Sequence, residues 1–158
     1  MRNGSKVGIK VIADNRKARF NYEILDKLEV GLALRGSEVK ALREGRANLG
    51  DGYARFRGDF VELISVHISP YTNGGYSNHD PLRPRRILMH KYEMNRWLGK
   101  LKIKGLSAIP LKLYFKNGLV KCELALARGK KVHDKRETLK RKTMDREARA
   151  AMKSKRWG

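Results

Sequence analysis

One cysteine, Cys122, stands among 158 residues. A single thiol excludes an internal disulfide and, with it, any zinc site built mainly from cysteines. Long apolar runs are missing too. No uninterrupted stretch approaches the roughly 18 residues of a membrane-spanning helix, and mean hydropathy is −0.63. The opening residues Met1-Arg2-Asn3-Gly4-Ser5-Lys6 lead into no apolar segment with a small-residue cleavage site, so the sequence predicts a soluble, cytoplasmic protein. Acidic residues are scarcest relative to need: 16 Asp+Glu face 37 Lys+Arg, a formal charge of +21 with a pI near 10.5. So large an excess in a short chain points to a polyanionic partner, nucleic acid first and an anionic membrane surface second.

Catalytic constellations are equally sparse. Gly31-Leu32-Ala33-Leu34-Arg35-Gly36 has phosphate-loop glycine spacing, but Ser37-Glu38 stands where Lys-Ser/Thr must follow. Ser37-Glu38-Val39-Lys40 fits S-x-x-K without the companion motifs of acyl-transfer enzymes, and reads as a helix N-cap. His67, His79, His90 and His133 are dispersed, with no ligand spacing for a metal. Cys122 falls on the apolar face of a strand, where a thiol behaves as a small hydrophobe. The reading is a binding protein with no enzyme activity, metal or cofactor.

What is present is enough apolar residue, 41%, for one core and an appendage. Alternation at Phe20, Tyr22 and Ile24, followed by Val30 to Leu34, predicts a half-buried strand ribbon. A short helix is expected from about Glu38 to Glu44, with Ser37 as its cap, then strands at Tyr53 to Arg57 and Phe60 to His67 around Gly58-Asp59. Ser69 to Arg86 carries Pro70, Gly74, Gly75, Pro81 and Pro84 and predicts a long exposed loop. Met94, Trp97, Leu98 and Leu101 share one face of a helix expected over His90 to Lys104. Asn117-Gly118, between Leu111 to Phe115 and Leu119 to Ala127, is a type I′ hairpin signal. In the second strand Val120, Cys122, Leu124 and Leu126 share the core face, so Lys121, Glu123, Ala125 and Ala127 point the other way. The fold class is mainly β with two to three helices, a small oligonucleotide-binding-like (OB-like) β-barrel of about six strands plus a basic C-terminal tail.

The domain division falls at 127/128. Residues 1–127 form the barrel, and 128–158 hold 13 Lys+Arg against 4 Asp+Glu, with five large apolar residues. That is too little to offset the entropy of ordering the segment alone, so the tail is expected to be disordered when free. It lacks proline and carries Glu137 and Arg141, and Asp145 and Arg149, at i,i+4, so it is able to fold as a helix on a partner.

Six segments then match a known family in order: Ala13–Ala18, Leu28–Lys40, Arg46–Asn48, Asp80–Met89, Pro110–Gly118 and Gly129–Arg136. The blocks Gly31-Leu32-Ala33-Leu34-Arg35-Gly36-Ser37-Glu38-Val39-Lys40 and Asp134-Lys135-Arg136 are its most specific. The sequence resembles the SsrA-binding protein (small protein B) family. The resemblance implies an OB-like barrel that partners transfer-messenger RNA in ribosome rescue, holding the elbow of its tRNA-like domain. The charged RNA is implied to arrive with elongation factor Tu. The tail is implied to become helical in an empty messenger channel next to the decoding centre of the ribosome.

Matched positions imply RNA contacts at Asn15, Arg16, Lys17, Glu29, Leu88 and Lys121, of which Lys121 is exposed by strand alternation independently. Arg83, Arg85 and Arg86 in the long loop are expected phosphate contacts. Gly129, Lys130, Lys131, His133, Asp134, Lys135 and Arg136 are implied to meet the ribosome. A general ribosomal or RNA-chaperone protein, binding structured RNA without selectivity, is the alternative. Membrane-surface binding through the tail is a further reading, for which five large apolar residues in 31 barely provide the apolar face required.

Overall fold

The computed structural model describes residues 8–72, 78–103, 105–130 and 132–157. Met1 to Lys6, Gly74, Gly75, Lys104 and Lys131 lie outside the described residues, as do the side chains of His133, Asp134, Lys135, Met152 and Trp157. In chain order the elements are β1 (Ile9–Asp14), α1 (Arg16–Asn21), β2 (Tyr22–Leu32), α2 (Gly36–Arg43), β3 (Ala47–Asn48), β4 (Tyr53–Arg57), β5 (Phe60–Ile64), β6 (His67–Ile68), β7 (Arg85–Leu88), α3 (Lys91–Leu101), β8 (Leu106–Lys116), β9 (Leu119–Gly129) and α4 (Val132–Trp157).

Seven strands form one antiparallel sheet in the order β1-β8-β9-β2-β7-β5-β4, and β3 pairs with β6 in a separate ribbon. The mainly β reading holds, with more elements than expected: nine strands and four helices among the described residues. The large sheet is open along its hydrogen bonds, since β1 and β4 end it without pairing to each other. It curls far enough to lay β4 against β8. Gly52, just before β4, sits where the chain is tightly packed: a Cβ there would stand 2.6 Å from Val66 and 3.0 Å from Pro110 of β8.

The hairpin joining β8 to β9 is the one expected. Asn117 (φ 51) and Gly118 (φ 81) both take the left-handed conformation that its turn requires. Its strands are longer than the apolar runs implied, because a β-bulge between Pro110 and Lys112 lets a proline sit inside β8. One face of the sheet closes over the main core, where Val30, Leu32, Val61, Leu63, Leu113, Cys122 and Leu124 meet Leu42 of α2 and Trp97 of α3. Burial pushes the Cys122 thiol far up, with the nearby Glu123 charge adding to it, so it stays an unreactive hydrophobe.

Several local expectations change. Phe20 belongs to α1, and β2 starts at Tyr22. Ser37 is not the cap of α2: Arg35 is the N-cap residue, and Glu38 reaches back to accept from its N–H at 2.8 Å. Ser37 Oγ instead shares a hydrogen bond with His79 Nδ1, whose Nε2 donates to Ile68 carbonyl oxygen at 2.8 Å. The exposed loop expected to run to Arg86 ends early, because Arg85 and Arg86 enter β7. Ala125 and Ala127 do not face solvent: α1 lies over that half of the outer face and buries them with Ala18, Ile109 and Leu111 in a second apolar cluster. Strand β9 also runs past the expected boundary to Gly129, paired to Tyr22. Beyond it the tail is the single helix α4, with Lys142 resting 5.9 Å from the Phe20 ring of α1.

Candidate nucleic-acid interface

Because α1 covers only one half of the outer face, the other half is left open, and the ladder decides what stands there. Gly31 of β2 pairs with Leu88 of β7 on one side and Lys121 of β9 on the other; Lys121 pairs in turn with Tyr114 of β8. Four strands thus set Leu88, Gly31, Lys121 and Tyr114 in one row across the sheet. Leu88 is 52% exposed although apolar, and it lies over the bare backbone of Gly31, where a Cβ would stand 3.4 Å from its own. Leu88 is therefore a surface residue and belongs to neither apolar cluster of the described residues.

Glu29 stands two register positions along β2 on the same face, opposite Glu123 of β9. Its carboxylate accepts from the Tyr114 hydroxyl and, at 3.1 and 3.2 Å, from Lys116 Nζ. The Tyr114 hydrogen bond, supported by Lys116 and the charge of Lys121, outweighs partial burial and holds the Glu29 carboxyl below its usual range. Burial, then the bond to Glu29, pushes the Tyr114 phenol in the opposite direction, so it remains a donor at every working pH. The result is a fixed carboxylate in a mixed-charge patch, with Lys116 and Lys121 on one side and the Glu123–Lys27 pair on the other. The carboxylate keeps lone pairs able to accept further donors, and Lys121 makes no ion pair among the described residues.

Two residues expected at the surface are inside the protein. Asn15 is 4% exposed. Its Oδ1 accepts from Ala18 N–H as the cap of α1, and its Nδ2 donates to Pro110 carbonyl oxygen at 2.9 Å, satisfying the strand at its bulge. Arg85 is fully buried. It donates from Nε to Glu38 at 2.6 Å, from Nη1 to Val66 carbonyl oxygen at 2.6 Å and from Nη2 to Pro81 carbonyl oxygen at 3.1 Å. Arg83 is tied to the other Glu38 oxygen at 2.5 Å. These arginines lock the loop and β7 in place; they position Leu88 rather than offering themselves to phosphate. Of the three, only Arg86 is exposed, its guanidinium 5.3 Å above the Phe60 ring.

Arg16 and Lys17 are exposed on α1, and Lys17 pairs with Asp51 at 3.1 Å. Lys17 and Lys130 line one groove of about 750 Å³, with Tyr22, Tyr53, Ser107 and Gly129 between them. The fold therefore brings the start of the expected RNA set beside the start of the expected ribosome set. Lys130 N–H donates to Asn21 carbonyl oxygen at 2.8 Å, fixing where the chain leaves the sheet. Arg136 is exposed on α4.

Tyr114, Lys116 and Gly31 were not among the expected site residues. The signal was present: alternation along β8 sets Lys112, Tyr114 and Lys116 on the face opposite Leu113. Among the described residues no group of three or more His, Cys, Asp or Glu is placed to hold a metal ion, and no helix is long and apolar enough to cross a membrane.

A curled antiparallel sheet, half of whose outer face sets Lys27, Lys116 and Lys121 among the carboxylates Glu29 and Glu123 beside one exposed leucine, with a basic helix appended in a chain of net charge +21, defines a binding protein for a polyanion. Comparison with known proteins makes the class particular. The chain belongs to the SmpB protein family, whose model matches residues 12–154. It is 54% identical over 149 residues to the SsrA-binding protein of Gloeothece citriformis (strain PCC 7424), covering 94% of this chain and 95% of that one. It is 56% identical over 147 residues to the SsrA-binding protein of Thermosynechococcus vestitus, covering 92% and 96%. Among solved structures it is similar to a chain from a study of tmRNA-SmpB and its journey to the center of the bacterial ribosome. That match has 48% identity and a TM-score of 0.66 over 76% of this chain and 85% of that one.

Proposed function

We propose that this protein binds the tRNA-like domain of transfer-messenger RNA with the open half of its outer face and supports trans-translation on stalled ribosomes. The observation that carries the reading is the row Leu88, Gly31, Lys121 and Tyr114, with Glu29 beside it, in a chain of net charge +21 whose relatives are SsrA-binding proteins. A leucine to stack, a carboxylate to accept and a lysine for phosphate address three different parts of a nucleotide.

Lys121, Glu29, Leu88, Arg86, Arg16 and Lys17 are the RNA contacts in this reading. Gly129, Lys130, Lys131, His133, Asp134, Lys135 and Arg136 begin a tail that enters the messenger channel as a helix and reports that no codon is there. Residues 1–127 carry the RNA-binding body and 128–158 the sensor. The protein is a cytoplasmic binding partner without catalysis of its own, and elongation factor Tu joins it through the charged RNA.

The test is equilibrium binding to the tRNA-like domain, with elongator tRNA and an unrelated hairpin as competitors, at low and at physiological salt. Preference for the tRNA-like domain that survives the higher salt is expected. Equal binding to all three, lost together as salt rises, would identify a general RNA chaperone instead.

A further inference from the structure

Past Leu88 the outer face drops into a second groove, of about 470 Å³, between the β4–β5 turn, β7 and the start of α3. Strands β5 and β7 contribute Phe60, Arg86 and Leu88 to its lining, and the segment that leads into α3 contributes Met89, Lys91 and Met94. Asp59 stands at the turn end of the groove. Arg86 lies over the Phe60 ring, centred 5.3 Å away. Glu62, its register partner on β5, accepts from Arg55 and pairs with Arg57. Among the described residues no carboxylate is within ion-pair distance of Arg86, so its charge is not spent inside the fold.

The exposed guanidinium of Arg86 also lines the groove and can turn a planar face to it. That face is a stacking platform for another flat, electron-rich system. Leu88 and Met94 are apolar walls, and Lys91 is exposed beside them at the start of α3. A flat cation, an apolar slot and a second cation at its edge together fit an unpaired base with a phosphate attached. The slot is also continuous with the proposed RNA face, since Leu88 is a wall of both.

We propose that this groove receives one unpaired base of the bound RNA, stacked on Arg86 between Leu88 and Met94, with a flanking phosphate at Lys91. The proposal rests on the RNA-binding reading and adds to it the place where a nucleotide is taken out of the stack. Arg86 is then a recognition residue that a lysine does not replace.

The experiment uses the full chain labelled with carbon-13 at its methionine methyls, with the tRNA-like domain as probe. Upfield ring-current shifts at Met89 and Met94 are expected on binding. In parallel, Arg86→Lys keeps the charge and loses the plane; it is expected to weaken binding about tenfold, within the range for loss of one stacked base, with an unchanged salt slope. Lys121→Ala separates the two readings. If Lys121→Ala weakens binding while the methyls stay in place and Arg86→Lys binds like the unaltered protein, the groove is not an RNA site and the proposal falls alone. If neither variant weakens binding, the RNA reading falls and the groove falls with it. Methyl shifts produced by ribosomal subunits but not by the RNA would assign the groove to another partner and overturn the proposal.

Discussion

Glu38 holds three donors with two oxygens: the Arg35 N–H, Arg83 and the fully buried Arg85. Burial alone would raise its carboxyl, but the hydrogen bonds from Arg83, Arg35 and Arg85 outweigh burial and set it below the ordinary value. Removing the charge strands two guanidinium groups, one without access to water. Breaking a buried pair in this way costs about 3–5 kcal/mol, so Glu38→Gln is expected to lower Tm by on the order of 10 °C in a domain of this size. The sign of the pH dependence follows. A carboxyl depressed in the folded state contributes its full stability above the unfolded value, about 4.3, and loses it as pH falls through the folded value. Thermal denaturation across that window should show the gap between the unaltered protein and Glu38→Gln closing as pH drops. A gap that stays constant would mean that the cost is steric rather than electrostatic. The consequence for function is positional, because the strand that Arg85 anchors ends in Leu88.

Elements set by nearby residues were legible in the sequence, and those set by distant partners were not. Asn117-Gly118 determines its own turn, and Trp97 with Met94 and Leu101 marks the inner face of α3 without help from the rest of the chain. That Lys121 faces away from the core was legible because strand alternation is local, although the side chain is half-buried rather than exposed. Arg85, in a stretch rich in proline and arginine, reads as surface; its burial depends on Glu38, 47 residues away. Asn15 reads as an RNA-facing amide until the bulge at Pro110, 95 residues away, claims it. The Glu29–Tyr114 pair spans 85 residues and has no sequence signature at all. The tail is an intermediate case. Its lack of proline and its i,i+4 charge pairs made a helix legible, and α4 runs through Val132–Trp157. One contact it makes with the body was not legible: Lys142 lies 5.9 Å from the Phe20 ring of α1. Few apolar residues line that helix, and charged pairs contribute only about 0.2–0.5 kcal/mol each. A peptide of residues 128–158 is therefore expected to show little helix by circular dichroism in buffer, helicity rising only when a surface is offered. A largely helical peptide would mean that the tail orders itself, and folding coupled to the messenger channel would have to be given up.

At the scale of the whole molecule, charge is shared between two parts that do different things. Among the described residues neither apolar cluster extends beyond Ala127, so removal of α4 takes no described residue from either core. A chain ending at Lys130 loses 11 Lys+Arg and 4 Asp+Glu, net +7, and keeps net +14. It also keeps the whole row from Leu88 to Tyr114 and both arginine anchors. Counterion release scales with phosphates neutralised, with a slope of about 0.9 per contact on a duplex. Shape and base contacts contribute little to that slope but carry the selectivity. The truncated chain should therefore bind every RNA more weakly at low salt, with a shallower dependence on salt. Its preference for the tRNA-like domain over elongator tRNA should be undiminished. Within the body the cations are not equivalent, because Lys116 is held by Glu29 through both carboxylate oxygens, while Lys121 makes no ion pair among the described residues. Lys121→Ala should reduce the slope by about one contact, near 0.9, and Lys116→Ala by distinctly less, since its charge is already partly neutralised. Binding isotherms over a salt series for the three variants measure all of this at once. Loss of preference on truncation would move recognition into the tail, and equal slopes for the two lysine variants would mean that the Glu29 pair opens when RNA binds.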